Sequence, residues 1–192
     1  MDDSIQDAIN GLAGHVGFID LAMKTSARDI IYLTPLLLLA LWFWPVPNSD
    51  RALNQRVAAA AFLGVLLGLG FAMLLGSLHN EARPFISDTT TKLLIPHAPD
   101  NSFPSDHATA AFALAGAIVW WRKSLGFVLL GVALLIGFSR VYVGVHWPQD
   151  VAAAAAAGIV AGAVVALCVP LLAIPQRWFS RMLPPFLLAA PS

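Results

Sequence analysis

One twelve-residue stretch of this sequence, SRVYVGVHWPQD from Ser139 to Asp150, concentrates groups that could transfer a phosphoryl group. Arg140 carries a permanent positive charge in a planar fork that matches the oxygens of a phosphate. His146 and Asp150 are four residues apart, a spacing at which two side chains share one face of a helix. A carboxylate bonded to one imidazole nitrogen fixes the tautomer and leaves the other nitrogen free to attack. The stretch therefore predicts a nucleophilic histidine beside a phosphate-binding arginine.

A second polar stretch, FPSDHA, predicts the start of a helix, with Ser105 as its N-cap and Asp106 and His107 in the first turn. The N-terminus of a helix presents unpaired N–H groups and the positive end of the helix dipole, which together favour phosphate. Arg83, in the stretch HNEARPF, adds a second guanidinium group to that of Arg140. Two arginines, a helix N-terminus and two histidines suit phosphoryl transfer, in which one histidine attacks phosphorus and the other protonates the leaving oxygen.

Each of these residues also has a plainer interpretation. Ser105 could only cap its helix, and Arg83 could anchor a loop at the lipid headgroups. His146 and Asp150 could form a structural hydrogen bond, or they could ligate a cation. Two nearby arginines would repel a cation, so no metal is predicted. The coincidence of three polar stretches with complementary groups favours phosphate chemistry over these alternatives.

The other histidines, His15, His79 and His97, are interpreted as interfacial or loop residues. A hydrolase dyad of Ser105 and His107 is a further alternative. Side chains two residues apart at the start of a helix point in different directions, which argues against such a dyad.

The composition places these polar groups in a membrane. The chain of 192 residues is 58% hydrophobic and 11% charged, with a mean hydropathy of +0.75, whereas soluble domains carry about 25% charged residues. Five apolar stretches predict helices that cross a bilayer. They are Ile30–Val46, Val57–Leu78, His107–Trp121, Leu125–Val143 and Val151–Leu172. We therefore expect an all-α integral membrane protein, a bundle of five or six transmembrane helices in a single domain over residues 1–192.

The N-terminal segment is less apolar than these five stretches. Residues 8–23 contain His15 and Asp20. We therefore expect residues 1–28 either to lie at the membrane interface or to form a short first membrane segment.

The distribution of charge predicts which helix ends share a face of the membrane. Six of the eleven Lys and Arg residues, but only one acidic residue, lie in residues 50–56, 122–123 and 176–181. The positive-inside rule places these three segments in the cytoplasm. Residues 79–106 and 146–150 would then converge on the outer face. The formal net charge of +0 and the lack of a basic cluster argue against a nucleic-acid partner.

The polar motifs, taken in order, resemble those of a known family. ARP, PSDH and SR-(five residues)-H-(three residues)-D are similar to the three signature motifs of the type 2 phosphatidic acid phosphatase superfamily. The run RPFISDTTTKLLIPHAPDNSFPSDHATAAFA further resembles the bacitracin-resistance-type undecaprenyl pyrophosphate phosphatases of bacteria. The resemblance extends over nearly the whole chain.

The resemblance implies a role for each motif residue. His146 would be the nucleophile that becomes phosphohistidine, Asp150 would orient it, and His107 would protonate the leaving lipid phosphate. Three residues would hold the transferred phosphoryl group: Arg83, Ser105 and Arg140. No cofactor is implied.

Two positions depart from the broad superfamily. The lysine that usually lies seven residues before the arginine of the first motif is Gly76 here, and the usual glycine of the second motif is Asp106, as in the bacitracin-type group. One phosphate contact is therefore unassigned, and Glu81, His79 or Lys92 could line the site instead.

The resemblance implies hydrolysis of the terminal phosphate of undecaprenyl pyrophosphate, which yields the undecaprenyl phosphate used in peptidoglycan biosynthesis and is linked to bacitracin resistance. The enzyme would lie in the bacterial plasma (inner) membrane, with its active site towards the periplasm or the extracellular side. Two alternatives stay open: a phosphatase for another lipid phosphate, such as phosphatidylglycerol phosphate, phosphatidic acid or a lipid A phosphate, and a non-catalytic protein that binds or transports lipid phosphate. The motifs indicate no oligomeric state.

Overall fold

A computed structural model describes residues 4–43, 51–184 and 187–189, and every regular element in these ranges is helical. The α-helices in chain order are α1 (Ser4–Asn10), α2 (Gly17–Arg28), α3 (Thr34–Phe43), α4 (Arg51–Leu78), α5 (Pro84–Ser87), α6 (Asp106–Val119), α7 (Lys123–Tyr142), α8 (Pro148–Leu167) and α9 (Ala173–Phe179). A short 3₁₀ helix, Ile30–Leu33, leads into α3. The predicted all-α fold is confirmed.

Helix α6 forms the centre of the bundle, enclosed by α4, α7 and α8. Every residue from Ala108 to Ile118 is buried, and most of these side chains are alanine or glycine. Small side chains allow helix backbones to approach closely in a membrane bundle. At Gly162 of α8 a Cβ atom would lie 2.5 Å from the carbonyl oxygen of Ala113, so only glycine permits this contact between α6 and α8.

Three helices in the described part of the chain are long and apolar enough to cross a membrane: α4, α7 and α8. Helix α2 and the segment Ile30–Phe43 meet at a bend of 53° and together could form a fourth span. Helix α6 has 14 residues, about 21 Å at 1.5 Å per residue, which is shorter than a hydrocarbon core of about 30 Å. The chain is thus a multi-pass membrane protein in which the shortest apolar helix is surrounded by longer ones.

The N-terminal segment, expected to be interfacial or a short first membrane segment, forms two helices, α1 and α2. A turn separates α1 from α2, and the side chain of Asp20 accepts a hydrogen bond from the amide of Gly14 across this turn. The predicted helix Ile30–Val46 begins as the 3₁₀ helix, and its last residues lie outside the described ranges. Polar side chains in this segment bind backbone groups locally, which divides it into short helices.

The basic segments lie together at one end of the bundle. Arg122 donates a hydrogen bond to Asn54 Oδ1, which joins the start of α7 to the start of α4. Gln176 of α9 donates to the carbonyl of Ala52 at 3.2 Å. The C-termini of α4 and α7 and the N-termini of α6 and α8 lie at the opposite end, and they carry the three polar stretches.

Candidate active site

The turn between α7 and α8 brings the third motif into one place. Arg140 lies in the last turn of α7, Asp150 in the first turn of α8, and His146 between them. Gly144 makes the turn with a φ of +83°, a conformation that side chains disfavour. A Cβ atom there would also lie 2.6 Å from the carbonyl oxygen of Lys92, so a larger residue would displace the turn.

The hydrogen bonds of His146 assign its tautomer. Its Nε2 atom lies 3.3 Å from Nη1 of Arg83 and 3.2 Å from Nη2 of Arg140. A guanidinium group can only donate hydrogen bonds, so Nε2 carries the lone pair and Nδ1 carries the proton. Nδ1 then donates to Oδ2 of Asp150 at 3.3 Å. Nε2 is therefore the atom of His146 that has a lone pair available for nucleophilic attack, and it faces both arginines.

The surroundings of His146 also favour its neutral form. The side chain is buried, and burial lowers its pKa well below the ordinary value, with further lowering by the charges of Arg140 and Arg83. A neutral imidazole keeps the lone pair that a nucleophile requires. The surroundings of His146 thus favour the form of the imidazole that a nucleophilic role would require.

Asp150 has both a structural contact and a functional one. Its side chain is fully buried, and Oδ2 accepts the backbone N–H of Trp147 at 2.9 Å as well as the Nδ1–H of His146. The first of these bonds satisfies a free amide at the start of α8. The indole of Trp147 donates to the carbonyl of Ala82 at 2.8 Å, which ties the first motif to the third.

Arg83 is fixed by three groups besides His146. Its Nε donates to Oδ1 of Asp100 at 2.8 Å, Nη1 to the carbonyl of Val145 at 2.8 Å, and Nη2 to the carbonyl of Asn101 at 3.2 Å. The side chain is only 5% exposed. The alternative in which Arg83 anchors a loop at the headgroups is therefore wrong, because its guanidinium group lies inside the site.

Arg140 connects the site to two segments that carry none of its motifs. Nη1 donates to the carbonyl of Ala27 in α2 at 3.0 Å. Nη2 lies 3.1 Å from Nε2 of His97, whose Nδ1 contacts the carbonyl of Ala98. Burial, together with the charges of Arg83 and Arg140, lowers the pKa of His97. Arg140 is thus oriented by a backbone carbonyl and a neutral imidazole.

His97 and Asp100 are site residues that the sequence interpretation missed. It assigns His97 to a loop or the interface and gives no role to Asp100. Both lie in the run PHAPDNSFPSDH that carries the resemblance to the bacitracin-type enzymes. That run is the signal that could have pointed to them, because no spacing rule relates either residue to a motif arginine.

The second motif supplies a free hydroxyl at the start of α6. Ser105 occupies the N-cap position as predicted, but its side chain makes no capping hydrogen bond. Its Oγ is buried and has no hydrogen-bond partner within the described ranges. The interpretation of Ser105 as only a cap is therefore wrong, and the hydroxyl is available to a phosphate oxygen. Asp106 is exposed and His107 half-buried in the next two positions, both within reach of the charges of the site arginines.

The three substitutes considered for the family lysine occupy different places. Lys92 lies apart from the phosphate-binding groups, because its Nζ donates to the carbonyls of Ala13 and Gly11 at 2.7 and 3.1 Å. Glu81 accepts a hydrogen bond from Gln149 beside the third motif. His79 is exposed, with Nε2 3.7 Å from Oε2 of Glu81. The structure thus places Lys92 against the N-terminal segment and Glu81 at the third motif.

The packing around Gly76 explains why a lysine is absent there. A Cβ atom at Gly76 would lie 2.9 Å from the carbonyl oxygen of Phe103. Asn101 donates a hydrogen bond to the Gly76 carbonyl at 3.0 Å and accepts one from the amide of Glu81 at 2.9 Å. The loop that precedes α6 therefore rests directly on α4.

Gly76→Ala is expected to destabilise the protein by about 1–3 kcal/mol, because the added methyl group meets backbone that cannot move alone. The matched control is Gly70→Ala, also on α4, where a Cβ atom meets nothing within 4 Å. There the higher helix propensity of alanine should leave stability equal or slightly raised. Thermal unfolding in detergent measures both variants. Equal melting temperatures for the two would contradict the close packing at Gly76.

Within the described ranges, no three His, Cys, Asp or Glu side chains are grouped so as to hold a metal ion. The charged groups at Nε2 of His146 are instead the two guanidinium groups.

Comparison with known proteins agrees with this geometry. The sequence profile of the PAP2 superfamily matches residues 53–173. Undecaprenyl-diphosphatase BcrC of Bacillus subtilis (strain 168) is 36% identical over 162 residues, which are 84% of this chain and 81% of BcrC. YbjG of Escherichia coli (strain K12), provisionally named an undecaprenyl-diphosphatase, is 39% identical over 135 residues, 70% of this chain and 65% of YbjG. The crystal structure of Aquifex aeolicus LpxE superposes with a TM-score of 0.72 at 26% identity and covers 85% of this chain and 93% of LpxE.

Proposed function

Because the chain belongs to the PAP2 superfamily, we propose that it is an undecaprenyl-diphosphate phosphatase that works through a phosphohistidine intermediate. The observation that carries the proposal is the position of His146 Nε2, which lies 3.3 Å from Arg83 and 3.2 Å from Arg140. A nucleophile between two fixed guanidinium groups suits attack on a phosphorus atom whose oxygens are negatively charged. The names of the relatives support the choice of a lipid diphosphate.

The first half of the reaction transfers the terminal phosphoryl group to His146. Its oxygens take hydrogen bonds from Arg83, Arg140 and the free hydroxyl of Ser105. Nε2 bonds to phosphorus as the bond from phosphorus to the bridging oxygen breaks. Burial lowers the pKa of His107 to about 4, so in this mechanism His107 takes up a proton when the negative diphosphate binds beside it and then gives that proton to the bridging oxygen. Undecaprenyl phosphate leaves. Asp150 stabilises the positive charge that develops on the ring, because its carboxylate holds the Nδ1–H.

The second half hydrolyses the intermediate. Water attacks the phosphorus atom on the side that the leaving group vacated, and His107 takes a proton from this water. The bond between phosphorus and Nε2 breaks, inorganic phosphate departs, and His146 returns to its neutral form. The same two arginines stabilise the phosphoryl oxygens in both halves, so one arrangement serves both transfers.

We also propose that residues 1–192 form one membrane-embedded phosphatase domain with its active site at the outer face of the bacterial inner membrane. The basic segments at the end of the bundle opposite the site support this orientation through the positive-inside rule. The contact of Arg140 with Ala27 in α2 supports a single domain, since the N-terminal segment helps to hold the site. The polyprenyl tail would stay in the lipid while the headgroup enters the polar site.

The proposed function is tested by phosphate release from undecaprenyl pyrophosphate, with purified protein in detergent and excess EDTA. We expect turnover to survive EDTA, because two guanidinium groups supply the positive charge at the reacting phosphate. Loss of turnover that a divalent cation restores would contradict this mechanism.

A panel of other phosphorylated lipids separates the alternatives in the same assay. The panel contains phosphatidylglycerol phosphate, phosphatidic acid and a lipid A phosphate, which each carry a phosphate on a different lipid. Faster turnover of one of these would assign the chain to that lipid instead. No turnover of any lipid would favour a binding or transport protein.

A further inference from the structure

Two carboxyl groups, the fully buried Asp150 and the half-buried Glu81, lie behind His146 on the side away from the arginines. Asp150 comes from the first turn of α8, and Glu81 comes from the loop that follows α4. Gln149, which precedes Asp150 in the chain, donates a hydrogen bond to Glu81 at 2.9 Å, and the two carboxyl groups lie close enough to influence each other's protonation. This arrangement places a second acidic group next to the carboxylate that orients His146.

One oxygen of each carboxyl group is already satisfied. Oδ2 of Asp150 accepts from the amide of Trp147 and from Nδ1 of His146, and Oε1 of Glu81 accepts from Gln149 at 2.9 Å. The other two oxygens, Asp150 Oδ1 and Glu81 Oε2, are buried and accept no hydrogen bond of ordinary geometry in the described part of the chain. The buried hydroxyl of Ser102 also lies against the Asp150 carboxylate, but its one proton can serve at most one of these two oxygens. The two unsatisfied atoms therefore belong to the two neighbouring carboxyl groups.

A proton shared between Asp150 Oδ1 and Glu81 Oε2 would satisfy both of these oxygens. Two ionised carboxylates in contact repel each other, and a buried oxygen without a donor is costly. One proton converts the repulsion into a hydrogen bond, as in other pairs of neighbouring carboxyl groups.

The contacts place that proton on Glu81. Asp150 faces two donors at Oδ2 and the positive charge of Arg83, all of which stabilise its ionised form. Besides Asp150, Glu81 faces the amide of Gln149 and the ring of His79, whose Nε2 lies 3.7 Å from its Oε2.

We propose that Glu81 is a positioning residue, which holds a proton and donates it in a hydrogen bond from Oε2 to Oδ1 of Asp150. This inference rests on the proposed function, because it concerns how Asp150 supports His146 during phosphoryl transfer. The hydrogen bond fixes the plane of the Asp150 carboxylate so that Oδ2 faces Nδ1. It also keeps the pair at a single negative charge, which matches the single positive charge of the phosphorylated ring.

The environment of Glu81 agrees with a protonated carboxyl group. Burial raises its pKa, and the charge of Asp150 raises it further, while the hydrogen bond from Gln149 and the charge of His79 oppose the shift. The titratable groups that face Glu81 are Asp150 on α8 and His79 on its own loop. Because the active form is protonated, activity should fall as the pH rises through the raised pKa of Glu81.

The test compares Glu81→Gln with Glu81→Ala over a range of pH. The glutamine amide donates to Asp150 at every pH, whereas alanine donates nothing. We expect Glu81→Ala to lower kcat on the order of tenfold or more, since a hydrogen bond to a charged group is lost. Glu81→Gln should lose much less and should lack the alkaline fall in kcat that the wild-type enzyme shows. His79→Ala should keep that fall.

Either of two kinetic results would overturn the proposal. One is that Glu81→Gln is as slow as Glu81→Ala at every pH, so that the donated hydrogen bond is irrelevant. The other is that His79→Ala removes the alkaline fall as Glu81→Gln does, which would assign that fall to the histidine.

Infrared spectroscopy tests the proton without any reaction. The difference spectrum between the wild-type protein and Glu81→Gln should contain the band of a protonated carboxyl group at neutral pH. The absence of this band would refute the proposal even if the enzyme is active. A protein that shows the band but hydrolyses no lipid would instead contradict the proposed function and leave the shared proton established.

Discussion

Replacement of His146 with alanine is expected to abolish phosphate release from undecaprenyl pyrophosphate, with a loss of about ten-thousand-fold or more in kcat. Losses of this size follow the removal of a nucleophile whose partners act as a unit with it. Arg83 and Arg140 donate hydrogen bonds to Nε2 of this one ring, and Asp150 accepts one from its Nδ1–H. Without the ring, the site has no nucleophilic atom that can accept the phosphoryl group. A phosphate-release assay with purified protein measures the loss.

The matched control is His15→Ala. His15 is exposed, and its ring bonds to the carbonyl of Gly11 in its own segment, so its removal should leave kcat unchanged. His146 is buried, and thermal unfolding must show that the His146→Ala protein is folded. With substrate labelled at the terminal phosphate, wild-type protein quenched during turnover should retain label and the variant should not. A folded His146→Ala protein with substantial turnover would refute the phosphohistidine mechanism.

Arg140→Lys is expected to lower kcat/KM by about 100- to 1,000-fold, although the positive charge is kept. Removal of one preorganised donor to a developing negative charge has an effect of this size. The guanidinium group reaches Ala27, His97 and His146 with separate N–H groups. A single ammonium group cannot satisfy the same partners in the same plane and also bind phosphate. Kinetics with the lipid diphosphate measure the change.

Arg177→Lys provides the control for this substitution. Arg177 is exposed on α9, at the end of the bundle opposite the site, so its exchange for lysine should leave kcat/KM within error of wild type. If Arg140→Lys also retained wild-type kinetics, only the charge at this position would matter. The interpretation that Arg140 binds phosphate through the planar geometry of its guanidinium group would then be wrong.

The residues of the third motif could be predicted from the sequence because their spacing fixes their geometry. Arg140, His146 and Asp150 lie on two helix ends and one short turn, so their meeting depends on few degrees of freedom. Ser105 was correctly placed at the start of α6, yet the freedom of its hydroxyl depends on packing that no local pattern encodes. Hydropathy predicts the long helices, since apolar runs of this length are typical of segments that cross a bilayer.

The parts that the sequence did not reveal depend on contacts between distant segments. His97 and Asp100 reach the arginines only because the loop before α6 folds back over α4, where Gly76 leaves room for it. The contact between Ala27 and Arg140 joins residues 113 positions apart. Hydropathy also missed the division of the N-terminal segment into α1 and α2, because hydrogen bonds such as that from Gly14 to Asp20 determine it.

The meeting of two guanidinium groups at one imidazole nitrogen has a consequence for the end of each catalytic cycle. Two like charges held this close in a buried site repel each other until an anion lies between them. The attraction that draws the lipid headgroup into the site acts equally on the inorganic phosphate that hydrolysis leaves behind. Inorganic phosphate must therefore leave against the same electrostatic attraction that draws in the substrate. In the orientation proposed above, free phosphate outside the cell would compete for the vacant site, and the rate at which the lipid carrier is recycled would depend on the phosphate content of the medium.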